Sequence, residues 1–292
     1  MAVDIAREYL DLVIDELERA LEAGGTRYLD DPEICLAYLQ SRPGVGDEEL
    51  AALLDMYPKC PETLVNLLRL VDGTNWVYYQ GAEIALPIFE GFYRLLSASR
   101  ILDSASKAWH QESVREFCGD LSRFEELDER IDPDVPQHKW LHFANCINNG
   151  GTSRLYIDFS PANGGKSGQV VRYMHDPDSY TVAASSFDNY LRTLSAAERR
   201  REARRKAAEA RQRQAEVKNW LTYSQGKLSE AIKQGMLDET IGKLKVVSLL
   251  ESLPGVGKVK AKKVMAEIGI SGACQVGNLD SDQVTALVDL YG

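Results

Sequence analysis

Residues 139–186 read KWLHFANCINNGGTSRLYIDFSPANGGKSGQVVRYMHDPDSYTVAASS, and this stretch decides the fold of the larger part of the chain. Four runs within it, KWLHFANC, TSRLYIDF, QVVRYM and YTVAASS, are short and rich in β-branched or aromatic residues, the composition of strands. Between them lie NNGG (148–151), SPANGGKSG (160–168) and HDPDS (175–179), which carry the residues that turns require. In TSRLYIDF, Leu155, Ile157 and Phe159 alternate with Tyr156 and Asp158, a pattern that predicts one buried face. Short strands joined by short turns form an antiparallel sheet.

Upstream of this stretch the period is helical. Ile5, Tyr9, Val13, Leu17 and Leu21 fall four apart, Leu10 and Ile14 widen the stripe, and acids fill the remaining positions. DEELAALLDM (47–56) and ETLVNLLRLV (62–71) read as two further helices, the second with Pro61 at its start and Gly73 past its end. A helix is expected over roughly 111–129, and FDNYLRTL (187–194) closes the region as a short helix. The expectation is an α+β N-terminal domain, 1–194, with an antiparallel sheet.

Charge divides the chain at the same place. At about 100–200 residues per domain, 292 residues suggest two domains. The net charge of -10 argues against a nucleic-acid partner only when averaged. Residues 1–194 carry 17 Lys+Arg against 32 Asp+Glu, and residues 195–292 carry 17 against 12, giving −15 and +5. Such asymmetry marks a basic module tied to an acidic one, although a basic helix is equally often only a solvated surface. No apolar run approaches the ~18 residues of a membrane span, and acids interrupt the apolar positions of the first helix, unlike a signal peptide. Cys35, Cys60, Cys118, Cys146 and Cys274 form no C-x-x-C pair, which argues against disulfides or zinc and for a reducing cytoplasm.

Few groups suggest catalysis. Gly165-Lys166-Ser167 invites comparison with a phosphate-binding loop, but the required preceding glycine is replaced by Ser160 and a strand follows instead of a helix. His110, His138, His142 and His175 lack metal-ligand spacing, and His142 reads as a half-buried strand residue. Asp132, Asp134, Asp176 and Asp178 flank prolines, where acids favour turns. Spacing offers no Ser/His/Asp or Cys/His constellation, so no catalytic residue, metal or cofactor is expected and the chain reads as a non-enzyme.

The last third is different. SAAERRREARRKAAEARQRQAEVKNWL (195–221) opens with Ser195 and Glu198 in the arrangement of a capping box and carries nine basic residues and four glutamates. Its apolar content is mostly Ala until Val217, Trp220 and Leu221, so only its C-terminal end can dock on a core; the rest, with Arg200, Arg204 and Arg205, is a solvated basic helix. KLSEAIKQG (227–235) follows, and then IGKLKVVSLLESLPGVGKVKAKKVMAEIGI (241–270). There Val247, Leu250 and Leu253 line one helical face until Pro254 and Gly255 end it. Gly255, Val256 and Gly257 then turn the chain into a helix bearing Lys258, Lys260, Lys262 and Lys263. Exposed N–H groups, a positive helix end and glycines suit a phosphate, and the lysines, with Lys243 and Lys245 upstream, add charge that displaces counterions from DNA. A helical hairpin whose glycines serve only chain reversal fits the same spacing.

Two resemblances sharpen these readings. PETLVNLLRLVDGTN (61–75), Trp140, LYIDFSPANGGKSGQVV (155–171) and VAASSFDNYL (182–191) resemble the SUKH superfamily, which includes yeast cell-wall-assembly and killer-toxin-resistance regulators and many bacterial immunity proteins. The resemblance covers roughly residues 45–194 and implies a non-catalytic module that binds a protein partner, commonly a toxin. AERRREARRKAAEARQRQAEVKNWL and IGKLKVVSLLESLPGVGKVKAKKVMAEIGI are similar to actinobacterial integration host factor, so that the whole of 195–292 matches. That resemblance implies an all-α helix-two-turns-helix domain with a long basic N-terminal helix. It also implies a nucleoid-associated protein that contacts the backbone of double-stranded DNA through Pro254–Lys263, largely without reading sequence. The basic helix would touch a second DNA segment. The family places arginines after the second helix, where this chain has SGACQVGNLDSDQ (271–283) with Asp280 and Asp282, so weaker DNA binding is expected. The expectation is thus a cytoplasmic, nucleoid-associated, non-enzymatic DNA-binding protein with an acidic protein-binding module. Two alternatives stay open: an immunity-type protein that neutralises a toxin, its DNA binding secondary, and an enzyme with an unrecognised site in the strands.

Overall fold

The computed structural model describes residues 4–24, 31–146, 153–223 and 227–292. The NNGG turn at 148–151 lies outside the described residues. Two compact units are present, Met1–Glu198 and Arg199–Gly292. The architecture is α+β in the first and all-α in the second.

The first unit is built on a six-stranded sheet. Its strands are β3 (Tyr93–Leu95), β4 (Glu126–Leu127), β5 (Trp140–Cys146), β6 (Arg154–Asp158), β7 (Gln169–Met174) and β8 (Ser179–Ala184); β1 (Asn75–Tyr79) and β2 (Ala82–Ala85) form a separate hairpin. The order across the sheet is β3-β5-β6-β7-β8-β4. The four strands read from the sequence are its centre, paired antiparallel with registers such as Leu141 opposite Ile157 and Tyr156 opposite Val171. Only β4 runs parallel to its neighbour, β8.

The sheet is covered on both faces, which corrects the one-sided reading of TSRLYIDF. Leu141, Phe143, Leu155, Ile157 and Val170 pack into the main core with Leu10, Leu39, Leu67 and Phe187. Trp140, Tyr156, Val171 and Tyr180 point the other way into a smaller aromatic core completed by Val114, Phe124 and Ile131. The covering layer comes from residues 108–136, which do not form the helix expected over 111–129. Ser113 opens the helix Val114–Cys118 with a capping box, and Gly119, at φ 71, ends it after five residues. A left-handed glycine followed by aspartate stops a helix whatever the apolar period around it. Asp158 is consequently buried, its carboxylate accepting from the Gln169 amide at 3.0 Å and the Ser160 N–H at 2.8 Å; burial raises its pKa.

Two other expectations are revised. FDNYLRTL is not a separate short helix, because one helix runs from Phe187 to Tyr223. Ser195 lies inside it and is buried, so it opens nothing. Phe187 and Leu191 anchor this helix in the first core, Val217 and Leu221 in the second, and none of 199–216 is buried. No helix among the described residues is long and apolar enough to cross a membrane.

The second unit adds the helices Leu228–Leu237, Glu239–Gly242, Val246–Leu250, Lys258–Ile268 and Ser281–Tyr291 around a core of Ile232, Leu249, Leu250, Val264, Met265 and Leu287. The helix of Val247 and Leu250 stops at Leu250, so Leu253 reaches the core from the following turn. Three glycines allow backbones to cross: a Cβ at Gly242 would stand 2.5 Å from the Gly235 carbonyl oxygen, and one at Gly277 would stand 3.3 Å from Gly242 Cα.

Candidate nucleic-acid interface

The turn between Val246–Leu250 and Lys258–Ile268 is pinned from below and open above. Leu253 N–H donates to the Leu250 carbonyl at 3.0 Å and Val256 N–H to the Leu253 carbonyl at 3.1 Å. Leu253 and Val256 are buried while Pro254, Gly255 and Gly257 are exposed. Gly255 needs to be glycine because its φ is 74. Gly257 does not: its φ is -81, and a Cβ there would meet nothing within 4 Å. Gly257 is the N-cap of the following helix, a position where glycine is favoured over alanine.

Among the described residues no side chain caps the first turn of Lys258–Ile268, so its leading N–H groups lack a side-chain acceptor. Lys258, Lys260, Lys262 and Lys263 are all exposed, and the only acid on the helix is Glu267, 3.9 Å from Lys263 at its far end. The Lys260 ammonium lies 5.8 Å from the centre of the Tyr291 ring, a cation–π contact with the last helix. The positive helix end lies beside Lys258 and Lys262, while Lys260 and Lys263 stand further round the same helix.

The remaining basic residues stand elsewhere. Lys245 is the N-cap of Val246–Leu250, at the end away from the glycine turn, and Lys243 is paired with Glu239 at 2.6 Å. On the long helix, Arg205 is held by Glu202 and Glu209, at 3.0 and 2.7 Å. Arg200 and Arg204 are exposed and carry no ion pair among the described residues. After Ile270, Asp280 caps the last helix: its carboxylate accepts from Gln283 N–H at 2.8 Å while the Gln283 side chain accepts from Asp280 N–H at 3.2 Å. The acid where the resemblance places arginines therefore has a local structural role.

In the first unit the structure joins residues that spacing could not. Ser104 Oγ donates to His142 Nδ1 at 2.7 Å, His142 Nε2 donates to Asn145 Oδ1 at 2.8 Å, and His110 Nδ1 donates to the Ser104 carbonyl at 2.8 Å. Serine, imidazole and amide in series look like a nucleophile with its base, but His110 is 0% exposed, His142 3% and Ser104 7%. Burial shields Ser104 from a reacting group, and the bonds satisfy the buried Ser104 hydroxyl and both His142 nitrogens while leaving His110 Nε2 without a partner. His142 is fully buried rather than half-buried. Three segments supply the network, so no local motif announces it. His175 pairs with Asp178 at 2.8 Å in a half-buried contact and Asp134 with Arg115 at 2.5 Å in an exposed one. β7 begins at Gln169, one residue beyond the Gly165-Lys166-Ser167 turn. No group of three or more metal-binding side chains lies together among the described residues.

Comparison with known proteins separates the same two regions. Residues 44–193 match the SMI1 / KNR4 family (SUKH-1), and residues 221–291 match the S13-like H2TH domain. Integration host factor of Streptomyces coelicolor is 52% identical over 95 residues, which is 32% of this chain and 89% of that protein. Its namesake in Mycobacterium tuberculosis is 41% identical over 95 residues, 32% of this chain and 90% of that protein. A solved structure of sIHF bound to an 8bp palindromic DNA is 52% identical and covers 30% of this chain and 99% of that chain, with a TM-score of 0.30.

Proposed function

We propose a function from one premise: the chain belongs to the SMI1 / KNR4 family (SUKH-1) through 44–193 and to the integration host factor family through its last third. It is a nucleoid-associated protein that binds duplex DNA without catalysis. Residues 195–292 hold the DNA backbone, and the acidic residues 1–194 form a module that binds a protein partner. The observation that carries this reading is the 52% identity to integration host factor across 95 residues, in a region whose glycine turn leads into a helix with no side-chain cap and with exposed lysines.

The chemistry is charge neutralisation with close approach. A phosphate oxygen accepts from the leading N–H groups of the Lys258–Ile268 helix, with no side chain at Gly255 or Gly257 to hold it off. Lys258, Lys260, Lys262 and Lys263 displace counterions. Lys245, Arg200 and Arg204 extend the positive field, whereas Lys243 is paired with Glu239 and Arg205 with Glu202 and Glu209. Contacts of this kind position a protein on DNA without reading bases, so unrelated sequences bind alike. A gel-shift titration with two unrelated duplexes tests the reading. Both should shift at low salt with affinities within about threefold, and Lys258→Glu with Lys260→Glu should weaken both by at least tenfold. No shift at low salt, or a shift indifferent to the double substitution, rules the reading out.

A further inference from the structure

A cleft among the described residues of the acidic first unit carries basic side chains. It has a volume of about 580 Å³, with Met56, Tyr57 and Phe159 as apolar wall and Lys59, His138 and Lys139 as polar wall. No carboxylate lines it, although residues 1–194 carry 32 Asp+Glu against 17 Lys+Arg. Lys59 and Lys139 are exposed and form no ion pair among the described residues. His138 keeps its Nδ1 buried and without a hydrogen-bond partner. The walls are tied together, because the Tyr57 hydroxyl reaches the His138 carbonyl at 3.1 Å and the Trp140 carbonyl at 3.3 Å. This bond fixes the turn bearing His138 and Lys139 against the segment bearing Lys59.

We propose that this cleft is where the module takes its protein partner, and that the partner enters with an acidic segment carrying an apolar or aromatic residue. The inference rests on the reading of 1–194 as a protein-binding module and names the place and chemistry of that binding. Two unpaired lysines in a concave apolar setting gain most from carboxylates, which are also the groups that the rest of this unit repels. A basic partner would find its counter-charge on the surrounding surface, outside this cleft. The six named side chains supply what a peptide anchor needs: apolar surface for one side chain and cations for its neighbours.

The test is selection of displayed random peptides on the full chain, run in parallel on Lys59→Glu with Lys139→Glu. Enriched peptides should pair Asp or Glu with an apolar or aromatic residue, and their affinity should fall at least tenfold on the double variant, whose circular dichroism should be unchanged. Enriched peptides that bind both proteins equally would overturn the cleft while leaving a protein-binding module in place. No enrichment on either protein would overturn both. Inorganic phosphate bound by the full chain and lost in the double variant, with no peptide enriched, would make this a small-anion site and overturn the proposal.

Discussion

His110 and His142 are both buried, but His142 has a partner at each ring nitrogen and His110 at only one. Each ring gives its one N–H to an oxygen, and His110 Nε2 is buried with no partner, so a second proton would have nowhere to bond. Burial, reinforced for His142 by the adjoining His110, lowers both; His110 falls from 6.5 to about 4. A depressed histidine leaves the unfolded chain binding more protons between those two values. The stability it contributes is therefore complete above 6.5 and is lost as pH falls towards 4, by ~3 kcal/mol for His110 alone. Urea unfolding followed by tryptophan fluorescence, to which the buried Trp140 contributes, should show the midpoint falling over this interval. His110→Gln should flatten the fall, and a pH-independent wild-type midpoint would contradict the assignment. None of this was legible in the sequence, because Ser104, His110 and His142 meet only through the fold. The lysines around Gly257 were legible, because their spacing and the glycines belong to one continuous segment.

Elements were readable where local signals agreed and unreadable where one residue overrode the rest. The four central strands and the Lys258–Ile268 helix follow from alternation and turn chemistry. The expected helix over 111–129 failed at Gly119, and the long helix passed through Ser195 because an interior serine can stay helical when its neighbours favour it. The β1–β2 hairpin went unread, although Gln80 and Gly81, at φ 48 and 88, make the two-residue turn that its alternation required. Glycines in the second unit separate packing from function. Gly242→Ala forces a Cβ to within 2.5 Å of the Gly235 carbonyl oxygen and should cost about 1–3 kcal/mol, lowering the melting temperature of the second unit. Gly257→Ala meets nothing and should cost under about 1 kcal/mol while weakening DNA binding several-fold. Thermal unfolding and a duplex-binding assay on both variants check the contrast. Equal stability losses, or full DNA affinity in Gly257→Ala, would remove the functional reading of that glycine.

At the scale of the molecule, a net charge of -10 conceals two modules of opposite sign, −15 and +5. Each belongs to its own family, and the long helix Phe187–Tyr223 takes part in both cores. Whole-chain net charge says little about a local DNA contact, because at physiological salt charges separated by more than about 8 Å are largely screened. In the proposed function the last third neutralises DNA phosphates from within an acidic protein. Fluorescence anisotropy of the full chain on a labelled duplex, repeated across salt concentrations, measures this most directly. With four lysines at the glycine turn, the logarithm of affinity should fall against the logarithm of salt with a slope of about −3 to −4, and Lys258→Glu with Lys260→Glu should reduce that slope by about two. A slope near zero, or one unchanged by the double substitution, would exclude phosphate neutralisation by these lysines.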